Sequence, residues 1–363
     1  MSIPIPVENI PPVSQLCCYQ LDPILDKRWA ELVERHPKAS VFHTVEWLKA
    51  LRHTYGYEPV VFTTSPPFGE LANGLLFCRI DSWLTGRRLV SLPFSDHCEP
   101  LFDSTEELNF LMHYLQNTLD AQKCKHLEVR PVDWDLNRIV DGIEFRPYAA
   151  YHLHRLNLLP ALDEIFQTFD KDSIQRRIQR AQRADLTEKC GRSQDLLRDF
   201  YALFIMTRGR HRVPPIPLAW FRNLIECMNK GLEIRLAYKD GIPLAGILTL
   251  QFRDVAYYKY GCSNTQHNKF GATPWLLWKA IEVAKLRGAK EFDMGRTQED
   301  GGGLLTFKNR WVQPKPLVYW RYPCTSSLEP TGSWKMKFAQ SAFSYLPDSL
   351  LTTIGNLLYR HIG

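Results

Sequence analysis

Apolar residues change their period along this chain, and the changes mark out its elements. Alternation and short apolar runs over Glu58 to Thr64, Leu71 to Ile80 and Arg88 to Leu92 predict strands, preceded by helical spacing over Asp26 to Arg35 and Val45 to Tyr55. A helix over Thr105 to Gln122 and a strand over His126 to Val129 follow. Further on, Leu232 to Lys239 and Ile242 to Phe252 read as strands joined by Asp240-Gly241, a strong hairpin signal. Val255 to Cys262 is a third strand. Trp275, Leu276, Trp278, Ala280, Ile281 and Ala284 then predict a helix over Thr273 to Arg287, and Glu291 to Met294 a short buried strand.

The order of three strands, helix and strand therefore occurs twice. Even the junctions match: QKCKHLEVR, ending at Arg130, lines up with LRGAKEFDMGR, ending at Arg296. This predicts a mixed α/β protein built from two copies of one unit, with a boundary near Ala150. Residues 1–15, rich in proline, read as an arm; 16–150 as the first domain; 151–323 as the second, with a helical insertion over 160–230; and 324–363 as a tail. Within the insertion, Ile174, Ile178 and Ala181 share one helical face, and Arg176, Arg180 and Arg183 lie on another, the pattern of a solvated basic face. A second helix, Asp195 to Arg208, ends in Arg208, Arg210, His211 and Arg212, more cations than a helix dipole asks for. In the tail, Leu350, Leu351, Ile354, Leu357 and Leu358 recur at helical spacing. Such an amphipathic helix suits a membrane interface or the protein's own surface.

Composition narrows the class. A chain of 363 residues is too long for one ordinary core. Its net charge of +6 allows an anionic partner such as a nucleotide, a tRNA or a membrane surface without requiring one. None of the nine cysteines has zinc or CxxC spacing, so they read as reduced thiols. The N-terminus lacks a basic region followed by an apolar run, and no stretch is long and apolar enough to span a bilayer, so a cytoplasmic protein is expected.

The densest chemistry lies between Lys290 and Trp320. A strand ends at Asp293, Gly295 and Arg296, an acidic segment with Glu299 and Asp300 follows, and Gly301, Gly302 and Gly303 lead into a helix bearing Phe307 and Lys308. Cations at a strand end and a helix start around a glycine run suit an anion-binding pocket; the same composition also suits a flexible loop. Tyr258 and Tyr260, two apart on one strand, are expected on one face, a spacing that cross-strand packing also accounts for. His152 and His154 alternate on a strand with no matching carboxylate or cysteine and read as structural, so no metal is expected.

Four segments together, SIQRRIQRAQRA, YYKYGCS, GATPWLLWKAIEVAKLRGAKEFDMGR and FKNRW followed by PLVYWRY, resemble the FemAB-like branch of the GNAT superfamily over most of residues 26–322. That branch includes the peptidoglycan bridge-forming aminoacyl transferases. The resemblance implies two tandem GNAT-like domains and amide formation, in which an amine of a nucleotide- or lipid-linked cell-envelope precursor, of peptidoglycan or exopolysaccharide, attacks an acyl group carried by a tRNA ester or an acyl-CoA. It implies that Lys308 stabilises the tetrahedral intermediate, Phe307 walls the pocket, and Tyr258 and Tyr260 line it. By the same resemblance Lys49 binds a phosphate, with Arg208 or Arg210 as its partner across the cleft. Asp293 is implied as a base or as the group that orients Arg296. The sequence departs from the acyl-CoA pattern at HNKFGATPW, where only Gly271 stands at a position suited to a pyrophosphate. It also lacks the long arm of some bridge-forming members. No tightly bound cofactor is expected. The alternatives are a CoA-dependent N-acyltransferase acting on an amino sugar and a non-catalytic binder of an envelope precursor; under each reading the protein is expected in the cytoplasm, at the inner face of the membrane if the tail meets lipid.

Overall fold

The computed structural model describes residues 16–119, 121, 123–133, 135, 140–323 and 358–361. The strands of the first half are β1 (Tyr19–Leu21), β2 (Glu58–Thr63), β3 (Leu75–Ile80), β4 (Arg88–Val90) and β5 (Leu127–Val129), with helices α1 (Lys27–Arg35), α2 (Val45–Tyr55) and α3 (Thr105–Leu119). Local chemistry sets the helix limits: the Thr44 hydroxyl accepts from the Trp47 amide at the start of α2, and Gly56 ends it in the left-handed conformation.

The second half begins with the long β6 (Arg146–Asn157) and α4 (Leu162–Thr168). Next, a π-helical turn at Lys171–Gln175 runs into α5 (Arg176–Arg183). Then come β7 (Thr187–Gly191), α6 (Gln194–Arg210), α7 (Leu218–Met228), β8 (Leu232–Lys239), β9 (Ile242–Phe252), β10 (Val255–Ser263), α8 (Ala272–Leu286), β11 (Glu291–Gln298), α9 (Gly302–Asn309) and β12 (Lys315–Tyr322). Asp240 and Gly241, both at positive φ, make the tight turn between β8 and β9. As expected, α5 buries Ile178 and Ala181 and exposes its arginines.

The repeat is visible in the pairing. β2, β3 and β4 are antiparallel neighbours, and β5 then lies parallel to β4; β8, β9 and β10 are antiparallel neighbours, and β11 then lies parallel to β10. A helix, α3 in one case and α8 in the other, makes the crossover that a parallel pair requires. The repeats are not separate bodies, however. β12 returns to lie antiparallel between β5 and β6, which closes one sheet of order β1-β2-β3-β4-β5-β12-β6-β11-β10-β9-β8-β7. One hydrophobic core also runs from α1 and α2 to α6 and α7, where Trp47 meets Trp220 edge to face at 5.2 Å. Such a contact adds about 1 kcal/mol beyond its buried area. The N-terminal arm and nearly all of the tail lie outside the described residues; of the tail, 358–361 are described.

Candidate active site

Two β-bulges build the site. On β10 the register against β9 slips between Tyr258 and Tyr260, leaving Lys259 as the extra residue. On β11 it slips against β6 between Asp293 and Arg296, around Gly295 at φ +71°. A bulge inserts one residue and reverses the alternation beyond it. Tyr258 and Tyr260 consequently face opposite sides of the sheet, which corrects the expectation of a shared face: Tyr258 packs on the α8 side, and Tyr260 packs between α6 and α7, its hydroxyl accepting from Trp220 Nε1 at 2.8 Å.

Lys259 points to the same face as Tyr257, both against Phe42. Its ammonium lies 5.0 Å from the Phe42 ring centre and 5.7 Å from that of Trp47, and it donates to Asp96 Oδ2 at 2.7 Å. Burial lowers the Lys259 pKa more than Asp96 raises it. Burial acts on Asp96 in the opposite sense, but Lys259 and Arg296 outweigh it and hold the carboxyl below the usual carboxylate range. Asp96 sits in the loop after β4, whose Leu92 and Phe94 both adopt positive φ, and the Asp96 carbonyl accepts from the Tyr319 hydroxyl at 2.7 Å. Gly295 is required twice, by its own φ and because a Cβ there would stand 3.2 Å from Asp96 Oδ2.

Lys308, on α9, reaches back to the bulge and is 4% exposed. Two of its three donors go to the carbonyls of Gly295 at 3.0 Å and Arg296 at 3.1 Å, and burial pulls its pKa down to about 8. The Arg296 guanidinium lies 4.3 Å from the Tyr151 ring centre and 4.9 Å from that of Tyr319, with Asp96 its nearest carboxylate at 3.9 Å. Beneath this layer Asp293 is fully committed: its Oδ2 lies 3.1 Å from His97 Nε2 and 3.2 Å from Arg155 Nε, and its Oδ1 accepts from the Gly295 amide at 2.6 Å. Burial opposes its charge, but His97 and Arg155 prevail and hold it well below the usual range.

The residues singled out from sequence thus separate into groups. Lys308, Arg296 and Asp293 converge, with Asp293 as a support for the bulge. Phe307 packs edge-on to Trp311 at 6.1 Å. Lys49 is exposed on α2, and it is Trp47, two residues earlier, that turns inward. Arg208 donates to the Pro214 carbonyl and to the Tyr359 hydroxyl, and the exposed Arg210 to the Ser263 carbonyl, so neither meets Lys49. Gly271 opens α8 at φ +72°, with the Arg177 carbonyl 2.4 Å from where a Cβ would stand. His154 pairs with Asn309 Oδ1 at 2.8 Å. Glu299 and Asp300 are exposed. Among the described residues no group of three or more His, Cys, Asp or Glu side chains is placed to hold a metal.

Sequence reasoning missed Asp96, His97, Arg155, Tyr319 and Lys259. Lys259 left one signal, a lysine in the middle of an aromatic strand where a buried residue belongs.

The model of the acetyltransferase (GNAT) domain family matches residues 170–309, from the turn before α5 to the end of α9. The chain is similar to the lipid II:glycine glycyltransferase of Staphylococcus saprophyticus, 27% identical over 92 residues, which are 24% of this chain and 22% of that protein. It therefore spans about a fifth of the relative it matches. Among solved structures it shares its fold with FemX, with a TM-score of 0.65 and 14% identity over 82% of this chain and 95% of that one. A tandem GNAT protein from the clavulanic acid biosynthesis pathway gives a TM-score of 0.53 and 12% identity over 85% and 98%. Residues 170–309 are therefore an acetyltransferase (GNAT) domain, set in a chain that shares its fold with FemX and with a tandem GNAT protein.

Proposed function

We propose that this protein forms an amide by transferring an acyl or aminoacyl group to an amine of a cell-envelope precursor of the peptidoglycan or exopolysaccharide class. One observation carries the reading: the buried Lys308 ammonium is held by two β11 carbonyls, and among the described residues its third donor has no partner, beside the Asp96 carboxylate. The amine nitrogen attacks the acyl carbon, the carbonyl electrons move to oxygen, and the third Lys308 N–H donates to that oxyanion. Asp96 takes the proton that the attacking nitrogen sheds, and Lys259 holds its carboxylate in place. Collapse of the intermediate breaks the bond to the donor's oxygen or sulfur, which leaves with the proton returned by Asp96, and the amide remains.

An aminoacyl ester of tRNA suits the chain better than acyl-CoA. A pyrophosphate at the start of α8 needs an open first turn, and here Gly271 is packed against the Arg177 carbonyl at the start of α5. The likeness to a lipid II:glycine glycyltransferase supports a lipid-linked acceptor, met at the inner face of the membrane. Among the described residues no helix is long and apolar enough to cross a membrane; the amphipathic pattern of the tail is the feature that would bring the protein to that face.

The test offers the full-length protein charged tRNA and labelled acetyl-CoA in separate reactions, each with lipid-linked precursor. Amide formation from charged tRNA is expected. Transfer from acetyl-CoA alone would overturn the donor. Retained precursor binding with no turnover from either donor would make the protein a binder and overturn the reaction.

A further inference from the structure

The cations of the site outnumber the anions that touch them. Lys259, Arg296 and Lys308 converge on the two bulges, yet among the described residues Asp96 is the one carboxylate within 4.0 Å of any of them. Lys259 takes it at 2.7 Å, and Lys308 is held by backbone carbonyls alone. Arg296 is left with a carboxylate at 3.9 Å, beyond hydrogen-bonding distance. A guanidinium so largely withdrawn from water without a paired anion is costly, and the cost is recovered when a ligand brings the anion.

The surroundings of Arg296 give it a fixed orientation. Tyr151 on β6 and Tyr319 on β12 lie with ring centres 4.7 Å apart, and the guanidinium sits over both. Its Arg296 carbonyl also accepts from Lys308, which ties the stacked cation to the ammonium assigned to the oxyanion. Arg130 approaches Tyr319 as well, at 4.8 Å, but its charge is spent on Glu128 Oε1 at 2.8 Å. Arg296 is the arginine of this ledge with donors to spare, and 29% of its side chain remains open to solvent. A planar, prealigned, underpaired guanidinium is suited to bidentate recognition of a carboxylate or phosphate, which a lysine at the same place would bind only as a point charge.

We propose that Arg296, stacked on Tyr151 and Tyr319, seats an oxyanion group, carboxylate or phosphate, that the acceptor carries near its reacting amine. The assignment rests on the transferase reading for the identity of the acceptor, but not for the existence of the anion seat. It makes Arg296 a specificity residue: acceptors without the anionic group are turned away although they carry the amine.

Two measurements on full-length protein keep the two readings apart. The first needs no turnover: inorganic pyrophosphate and glutarate are titrated by calorimetry into wild type, Arg296→Lys and Tyr151→Leu. Saturable binding of pyrophosphate identifies a phosphate seat and of glutarate a carboxylate seat, with affinity at least tenfold weaker in Arg296→Lys and weakened in Tyr151→Leu, which keeps every charge. Failure of both anions to bind wild type, or equal binding to Arg296→Lys, overturns the seat even if the enzyme turns over. The second is steady-state kinetics with the lipid-linked acceptor. Arg296→Lys should raise the acceptor KM at least tenfold and lower kcat by a smaller factor, with the donor KM unmoved. A fall in kcat at constant acceptor KM would place Arg296 in the chemical step and overturn the proposal. If no donor is turned over while the anion seat titrates as described, the transferase reading fails and the seat stands.

Discussion

The parallel pairs β4–β5 and β10–β11 arise from the same connection and have opposite chemistry. In the first, Leu89 faces Leu127 and Val90 faces Glu128 without interruption, and the strand exit is closed by ion pairs: Glu128 gives one oxygen to Arg130 and the other to Arg321, each at 2.8 Å. In the second, a bulge on each strand at Lys259 and Gly295 breaks the alternation and brings three cations against a single carboxylate. Arg130 and Arg296, which occupy matching positions in the repeat, even share the Tyr319 ring, one saturated and the other not. The difference teaches that the bulges, and not the fold they interrupt, make a site here. The bulge on β10 sets Tyr260 on the face opposite Tyr258, whereas regular pleating would put the two together.

This contrast can be broken most forcefully at Lys308. Lys308→Ala should lower turnover by about a hundredfold, the scale for losing an oxyanion donor, with an unchanged circular dichroism spectrum. Unchanged turnover would put the chemistry elsewhere. Asp96→Asn should cost about a hundredfold, at the low end for a general base because this carboxylate is weakly basic; activity within twofold of wild type would leave proton transfer to the substrate or to water. Gly295→Ala tests the bulge itself. A Cβ at φ +71° pressing on Asp96 should destabilise the fold by about 1–3 kcal/mol in a urea melt, whereas alanine at the regular position Val90 of β4 meets no such conformational penalty. A melt superimposable on wild type would show the bulge to be relaxed.

The smallest effect is expected at the chain's end, which bridges the two halves. Tyr359 accepts from Arg208 at 2.6 Å and donates to the Pro214 carbonyl at 2.9 Å, and Tyr57 of the first half donates to the Tyr359 carbonyl at 3.0 Å. Tyr359→Phe should cost about 1 kcal/mol. No change in the melt would mean the bridge adds nothing.

Much of this was legible in the chain. Strands and helices with clean periodicity, such as β8, β9 and α8, fall where the pattern puts them, and the repeat was visible in the order of elements. A short piece can escape it: β1 has three residues, too few to show a period. The merging of the halves depends on β12, whose partners β5 and β6 are remote in sequence. In the site, Lys308, Arg296 and Asp293 could be read because they share one stretch of chain. Asp96 could not, since it meets Lys259 across 163 positions from an irregular loop. A bulge leaves no mark in a hydropathy pattern, and for that reason Tyr258 and Tyr260 were expected on one face.

The measurement that bears most directly on Lys308 is turnover against pH. Burial holds its pKa near about 8, so initial rates should fall as pH rises through 8, as the ammonium loses the proton it offers to the oxyanion. Unfolding would not explain that fall: folding lowers this lysine's pKa from 10.5, so the unfolded chain binds the proton more tightly between about 8 and 10.5, and stability from this group rises with pH across that window. A descending limb near pH 8 in wild type, moved to higher pH in Lys308→Arg, is the expected result. A rate that stays level or climbs to pH 10 would contradict a protonated Lys308 at the centre of the reaction.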